Sequence, residues 1–322
     1  MGRADVYSQP EAPDPVLPVE LVRELARPHL PYGVQLDGGM EVDESGGEAR
    51  VYLFDGSDAA GGVAVKTQRP HRLRPRTSLR KEAALLGALA GPLTGRILAL
   101  YGYDRVDTAA GPVEFIVMSR VPGRAAVRHE MPPPSRRWLF RAIAEVLRVV
   151  HDLDVDTLQS GDGSFPTVDG AAALRARLEP NFADLVDGLA ARPDRWPLEV
   201  PPDRVAERAL AALPRRLDHP PVPLHSNPGP THVFTDEAGG FTGLIDFGDA
   251  YAAHPALDLR SWPDPADRLV LREAYLDGRV PSAGWDAVWT TVMVYADMGA
   301  LTGSTAHAPS AAADLVERLG QL

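Results

Sequence analysis

The sequence predicts an α+β protein in two lobes, a small antiparallel β lobe followed by a larger helical lobe. Three observations carry this prediction. Short β-branched and aromatic runs bounded by Gly and Asp recur through the first third of the chain. After Gly123 the texture changes to long amphipathic segments with apolar residues at three- and four-residue spacing. A compact strand–turn–strand block, residues 222–248, is set into that helical part. At 322 residues the chain is long enough for two such bodies.

The elements follow in order. Residues 1–18, Pro-rich and polar, read as a flexible leader. A short helix is expected over Pro18–Arg27, stopped by Pro28. VQLDG (Val34–Gly38), ARVYLFDG (Ala49–Gly56) and GVAVKTQ (Gly62–Gln68) read as strands. Thr77–Leu89 reads as a helix, with Ser78 as N-cap and Ala83, Leu85, Leu86 and Leu89 near helical spacing. RILALYGYD and VEFIVMSRV supply two more strands, the second ended by Pro122-Gly123. Residues 19–120 then form an N-terminal lobe and residues 121–322 a C-terminal lobe, joined by a hinge near Ser119–Gly123. In the second lobe, helices are expected over Ser135–Leu153, Ala171–Leu189, Asp203–Leu217, Ala266–Tyr275 and Gly284–Leu301.

Composition narrows the function classes. With 44% hydrophobic and 24% charged residues the chain is globular. It has no apolar run near the roughly 18 residues that a membrane span needs. The absence of cysteine excludes a disulfide framework and thiolate metal sites. Together with a start that lacks an apolar signal core, it suits a cytoplasmic protein. A net charge of -11 argues against nucleic acid as a partner. Most of the acid excess falls after residue 120, where it either attracts a cationic small molecule or solubilises the surface.

The motif that carries chemistry is LHSNPGPTHVF (Leu224–Phe234) followed by LIDFGDA (Leu244–Ala250). His225-Ser226-Asn227, then His232, then Asp246-Phe247-Gly248 reproduce the order and spacing of the kinase pattern H-R-D-L-x-x-x-N followed by D-F-G. At the two chemical positions the residues differ: Asn227 stands where the pattern has Asp, and His232 where it has Asn. The first third supplies the matching half. Lys66 lies in the strand VAVK and Glu82 in the helix after it, and kinases hold the α and β phosphates with such a pair.

On these residues, with FIVMSRVPG and HPALDLR, the chain over residues 30–320 resembles the aminoglycoside phosphotransferase family. Those proteins are small-molecule kinases with a protein-kinase-like bilobal fold. The resemblance implies ATP or GTP and Mg²⁺ as cofactors and a small hydroxyl-bearing acceptor, in a monomer or dimer. It implies that Lys66, positioned by Glu82, holds the nucleotide phosphates and that Asp246 binds Mg²⁺, with His232 at the second metal position. Asn227 and His225 fall on the catalytic loop, and Asp258 resembles the aspartate that supports that loop from beneath. Met118, Ser119 and Val121 would meet the base edge. Ser45-Gly46-Gly47 is the best candidate for the phosphate-covering turn, because GxGxxG is absent. Asp249 reads as a turn residue and His151 as a packed or capping one. The basic run Arg69–Lys81 is an open candidate for phosphate contact.

The family loop has the form HGDxxxxN or HGDxxxxH, so this chain departs from it at Ser226 and Asn227. An amide oxygen accepts a hydrogen bond but takes no proton near neutral pH. The chain is therefore expected to bind both ligands and turn over slowly. Two states account for the amide: a phosphotransferase substituted so that it traps its substrates, or a pseudokinase that uses nucleotide to set its shape.

Overall fold

The computed structural model describes residues 7–320 apart from 37, 57–61, 76, 109–110, 129, 161–164 and 304–305. Helix α1 (Val19–Ala26) precedes strands β1 (Met40–Asp43), β2 (Ala49–Phe54) and β3 (Val63–Gln68). Helix α2 (Leu79–Leu89) follows, then β4 (Leu100–Thr108) and β5 (Gly111–Ser119). The five strands form one antiparallel sheet in the order β1-β2-β3-β5-β4. Strand alternation sends successive side chains to opposite faces. Tyr52, Phe54, Val63, Val65, Phe115 and Val117 pack beneath Val22 and Ala26 of α1. Ala64, Ile116 and Met118 belong instead to the main core with Leu85, Leu86 and Leu89 of α2. Strand β3 is thus covered on both faces, and its even-numbered positions, Lys66 among them, face α2.

The C-terminal lobe opens with β6 (Arg124–Ala125), α3 (Pro133–His151), α4 (Val155–Ser160), α5 (Gly170–Ala190) and α6 (Pro202–Ala212). Strands β7 (Val222–Leu224), β8 (Val233–Thr235), β9 (Phe241–Leu244) and β10 (Tyr251–Ala253) come next, then α7 (Pro265–Leu276), α8 (Trp285–Thr302) and α9 (Ala308–Leu319). β7 pairs with β10, and β8 lies between β6 and β9. At the junction of the lobes Gly123 has φ +88°, and a Cβ there would sit 2.2 Å from Thr235 O. Only glycine fits this close approach. Among the described residues no helix is long and apolar enough to cross a membrane.

Several expectations are corrected. Val34–Gly38 is not a strand; Leu30, Val34 and Leu36 pack against the α1 core from a loop, and Asp37 lies outside the described residues. The edge strand is β1, whose Glu41 and Asp43 are exposed and gave no apolar signal. β4 begins at Leu100, later than RILALYGYD suggested, and α6 ends before Pro214. Helices α4 and α9 had no counterpart in the sequence reading. Residues 7–18 of the expected flexible leader are tied down. Buried Arg50 donates to Asp14 Oδ2 at 2.9 Å, to Pro15 O at 2.7 Å and to Glu44 Oε1 at 2.5 Å. Arg69 reaches Asp14 at 2.7 Å, Ser8 N bonds Leu73 O, and Leu17 is buried with its N–H on Tyr52 Oη.

Removing Arg50 strands Asp14 beside Arg69 and frees the leader. Arg50→Ala is expected to lower stability by about 2 kcal/mol, below the full effect of breaking a buried pair because both acids are partly solvated. It should also speed protease cleavage within residues 7–18, measured by limited proteolysis and denaturant unfolding.

Candidate active site

Strand alternation delivers the ammonium of Lys66 to the cleft between the lobes. Its Nζ donates to Glu82 Oε2 and to Asp246 Oδ1, each at 2.7 Å. Burial disfavours the ammonium, but Asp246 and Glu82 outweigh that and raise Lys66 above its usual value. Burial likewise opposes the Asp246 carboxylate, yet Lys66 and then His232 hold it well below the ordinary carboxylate range. Helix α2 brings Glu82 into place because its N-terminus docks beside Asp246. Ser78 caps it by accepting from Lys81 N, and Ser78 N donates to Gly248 O at 3.4 Å. Thr77 Oγ1 donates to Asp249 Oδ1 at 2.6 Å.

The loop after β7 hangs on Asp258, buried in the 3-10 turn Pro255–Arg260. Its carboxylate accepts from His225 N at 2.8 Å, Ser226 N at 2.7 Å and His151 Nε2 at 3.1 Å. These donors hold its carboxyl below the usual value despite burial. His151 Nδ1 in turn accepts from Tyr275 Oη at 2.8 Å, so His151 is a member of this buried network. Trp262 Nε1 donates to Pro228 O at 3.1 Å and steadies the next part of the loop.

His225 is corrected from a catalytic to a structural residue. It is buried, its Nε2–H donates to Ile245 O at 2.8 Å, and its Nδ1 accepts from Asn227 N at 3.3 Å. Its ring packs on Phe247 with centroids 4.5 Å apart. Both nitrogens are spent, one within the loop and one bracing it against the turn that carries Asp246. Burial pushes its pKa down to about 4.

Asn227 is exposed at the mouth of the cleft. Its main-chain oxygen accepts from His232 Nδ1 at 2.8 Å, and His232 Nε2 stands 3.4 Å from Asp246 Oδ2. Asn227, His232, Asp246, Lys66 and Glu82 therefore form one contiguous line. Ser226 and Asp246 both have positive φ, +85° and +70°. The family's glycine at position 226 suits such a conformation, and serine there is strained, so that departure is larger than its chemistry suggested.

Ser45, Gly46 and Gly47 form the exposed β1–β2 turn, with Ser45 N on Asp43 Oδ1 at 2.8 Å. Glu48, next in the chain, bonds Arg74 at 2.6 Å, and its carboxyl is raised by burial and by Asp249. That puts the turn at the cleft rim. Met118 is buried in β5. Ser119 N is taken by Ala99 O and Arg120 N by Gly62 O, each at 2.9 Å, while Val121 packs against Gly243. Two residues of the basic run Arg69–Lys81 serve inside the fold, Arg69 on Asp14 and Arg74 on Glu48. The link from Thr77 to Asp249 was not legible in the sequence, since it joins residues far apart in the chain through one hydroxyl. Among the described residues no group of three or more His, Asp or Glu side chains is placed to hold a metal ion by itself.

Two outcomes follow from this site. Ser226→Gly removes left-handed strain of about 1–2 kcal/mol per residue, offset in part by chain entropy, so stability should rise by about 1 kcal/mol in denaturant unfolding. His225 and His254, pushed by burial to about 4 and about 3, resist protonation in the folded state, whereas the unfolded chain protonates near 6.5. The unfolded state thus binds more protons between these values, so stability is full above pH ~6.5 and drains as pH falls towards 4. Unfolding curves recorded from pH 7.5 to 4 should show this decline, and His225→Gln should flatten it.

The comparisons with known proteins agree with this geometry. The profile of the phosphotransferase enzyme family matches residues 39–288. No curated relative matches the chain significantly. Among solved structures, the macrolide 2'-phosphotransferase MphH from Brachybacterium faecium, as apoenzyme, is similar at TM-score 0.56 and 24% identity, covering 92% of this chain and 98% of that one. The GDP complex of wild-type aminoglycoside 2'-phosphotransferase-IIIa gives 0.58 at 17% identity, over 94% and 97%. The streptomycin–ATP ternary complex of APH(2")-IIa gives 0.56 at 16% identity, over 91% and 92%. These likenesses show a kinase-like fold, and with a profile match over most of its length, this chain belongs to the phosphotransferase enzyme family, as its resemblance to the aminoglycoside phosphotransferases implied.

Proposed function

We propose that this protein is an ATP- or GTP-dependent O-phosphotransferase that moves the γ-phosphoryl group of a nucleotide to a hydroxyl of a small molecule. The observation that carries the reading is the ammonium of Lys66 held at 2.7 Å by both Glu82 and Asp246. Phosphoryl transfer asks the protein mainly to position reactants and neutralise charge. Lys66 is the cation for the α and β phosphates, with Glu82 fixing its direction. In the reaction a bond forms between the acceptor oxygen and the γ-phosphorus while the bond to the bridging β-oxygen breaks. The nucleoside diphosphate leaves, and the hydroxyl proton departs.

The donor set suits a divalent cation. Asp246 offers one carboxylate, ionised and partly open, and Mg²⁺ sites commonly use one or two carboxylates together with substrate phosphates. Asp246 and His232 would hold the ion, which when bound neutralises charge between the β and γ phosphates. The backbone of residues 118–121 would meet the base. The N–H groups of Ser119 and Arg120 are already engaged, which leaves carbonyls and Val121 for that contact. The exposed turn Ser45-Gly46-Gly47 would cover the phosphates.

Asn227 would meet the acceptor hydroxyl. Its amide oxygen can align that group by accepting a hydrogen bond but cannot take the proton. The proton must pass to solvent, which forfeits the roughly 10²–10⁴-fold help of a general base. The kinase-like relatives are aminoglycoside and macrolide phosphotransferases, so an antibiotic acceptor is the natural first candidate. The acid excess of the C-terminal lobe favours a cationic one.

Reverting Asn227→Asp and following transfer of labelled γ-phosphate across aminoglycosides and macrolides tests the reading. The rate is expected to rise by roughly 10²–10⁴-fold with nucleotide affinity unchanged. A null rate in both forms would favour a nucleotide-binding regulatory module instead. Metal–nucleotide at a hundredfold its dissociation constant should stabilise the chain by about 2.7 kcal/mol in thermal unfolding. Lys66→Ala and Asp246→Ala should each abolish that gain, and its persistence in both would count against this cleft.

A further inference from the structure

The α1 side of the five-stranded sheet carries an opening of its own. A cleft of about 540 Å³ lies there, lined by Arg23, Arg27, Leu30, Val34, Gln35 and Leu36. Leu30, Val34 and Leu36 pack with Val22, Ala26, Tyr52 and Phe54, whereas Lys66 and α2 occupy the other side of the sheet. Two cations stand in its wall. Arg23 lies in the last turn of α1 and Arg27 opens the 3-10 turn that follows, Arg27–His29, so they are four residues apart on one helical face. Like charges so spaced repel, and arginine does not lose its charge in a protein. Among the described residues neither guanidinium forms an ion pair. Arg23 Nη2 donates to Gly38 O at 2.5 Å, and the guanidinium lies 5.8 Å from the Phe54 ring centroid. Its Nε is buried and has no acceptor among the described residues. Buried donors are normally satisfied, so this one calls for an acceptor from outside the fold.

We propose that this cleft binds a small soluble amphipathic anion, a carboxylate or phosphate monoester carried on an apolar body, at a site separate from the nucleotide cleft. Guanidiniums match the oxygens of carboxylate and phosphate with paired, charge-assisted hydrogen bonds. Leu30, Val34 and Leu36 supply an apolar wall, and the amide of Gln35 can meet one polar group on the ligand's body. Size separates an organic anion from a bare one. Small-molecule pockets run from about 300 to 1,000 Å³, and this cleft falls within that range, with far more room than a lone phosphate fills. A bound anion also relieves the repulsion between Arg23 and Arg27. The attraction is local, because the chain as a whole carries a net charge of -11 and repels anions at long range.

Calorimetric titration of the full chain with 1-naphthyl phosphate, 1-naphthol and inorganic phosphate, each with and without Mg²⁺ and a non-hydrolysable ATP analogue, provides the test. The naphthyl ester is expected to bind more tightly than either of its halves, and to do so equally with the analogue present. Arg27→Glu should weaken it by about tenfold or more, the factor that one charge-assisted hydrogen bond supplies. Arg27 is exposed, so that variant should keep the parent's thermal midpoint. No binding of the ester, or equal binding by parent and variant, overturns the site. Inorganic phosphate binding as tightly as the ester overturns the amphipathic class. Loss of ester binding on adding the analogue puts the ester in the nucleotide cleft and overturns the separation. Sedimentation with phosphatidic acid vesicles that Arg27→Glu abolishes assigns the pair to a lipid headgroup and overturns a soluble ligand.

Discussion

One ammonium ion holds this molecule's cleft together. Lys66 comes from β3, Glu82 from α2 and Asp246 from the turn after β9, so a single buried cation binds three elements and both lobes. Removing such a charge from water is costly, and the two carboxylates offset that cost only while all three elements keep their places. The constraint also leaves an imbalance, because two carboxylates share one cation. The cleft is thus short of one positive charge at the edge where Asp246 is open.

The C-terminal lobe answers with a second buried anchor of opposite sign. Asp258 collects two main-chain N–H groups and an imidazole, and so fixes the loop that presents Asn227. His225 links the same loop to the carbonyl of Ile245, immediately before Asp246. The loop and the turn that carries Asp246 are therefore one mechanical unit, and the two positive-φ residues, Ser226 and Asp246, sit one in each half of it. Strain of this kind persists only where the surroundings over-determine the backbone, as this paired bracing does.

The sequence was most legible where one side chain has one job. Alternation in ARVYLF and the buried run VAVK located β2 and β3, and the spacing of Lys66, Glu82 and the DFG-like turn brought three distant residues to one point. It was least legible where a residue's role is set by what packs on it. Nothing in MEVD marks an edge strand until β2 lies beside it. The leader looked loose because Asp14 and Leu17 acquire partners only when Arg50 and Tyr52 are folded. His225 resembled a catalyst from its motif, and only its two occupied nitrogens show it to be a brace. The backbone conformation that makes Ser226 anomalous leaves no trace in composition.

The proline that follows the amide has a chemical consequence of its own. Asparagine commonly ages into aspartate when the next residue's main-chain nitrogen attacks the side-chain carbonyl and closes a succinimide ring. Pro228 has no hydrogen on that nitrogen, and its carbonyl is pinned by Trp262. The succinimide route to deamidation is closed to Asn227.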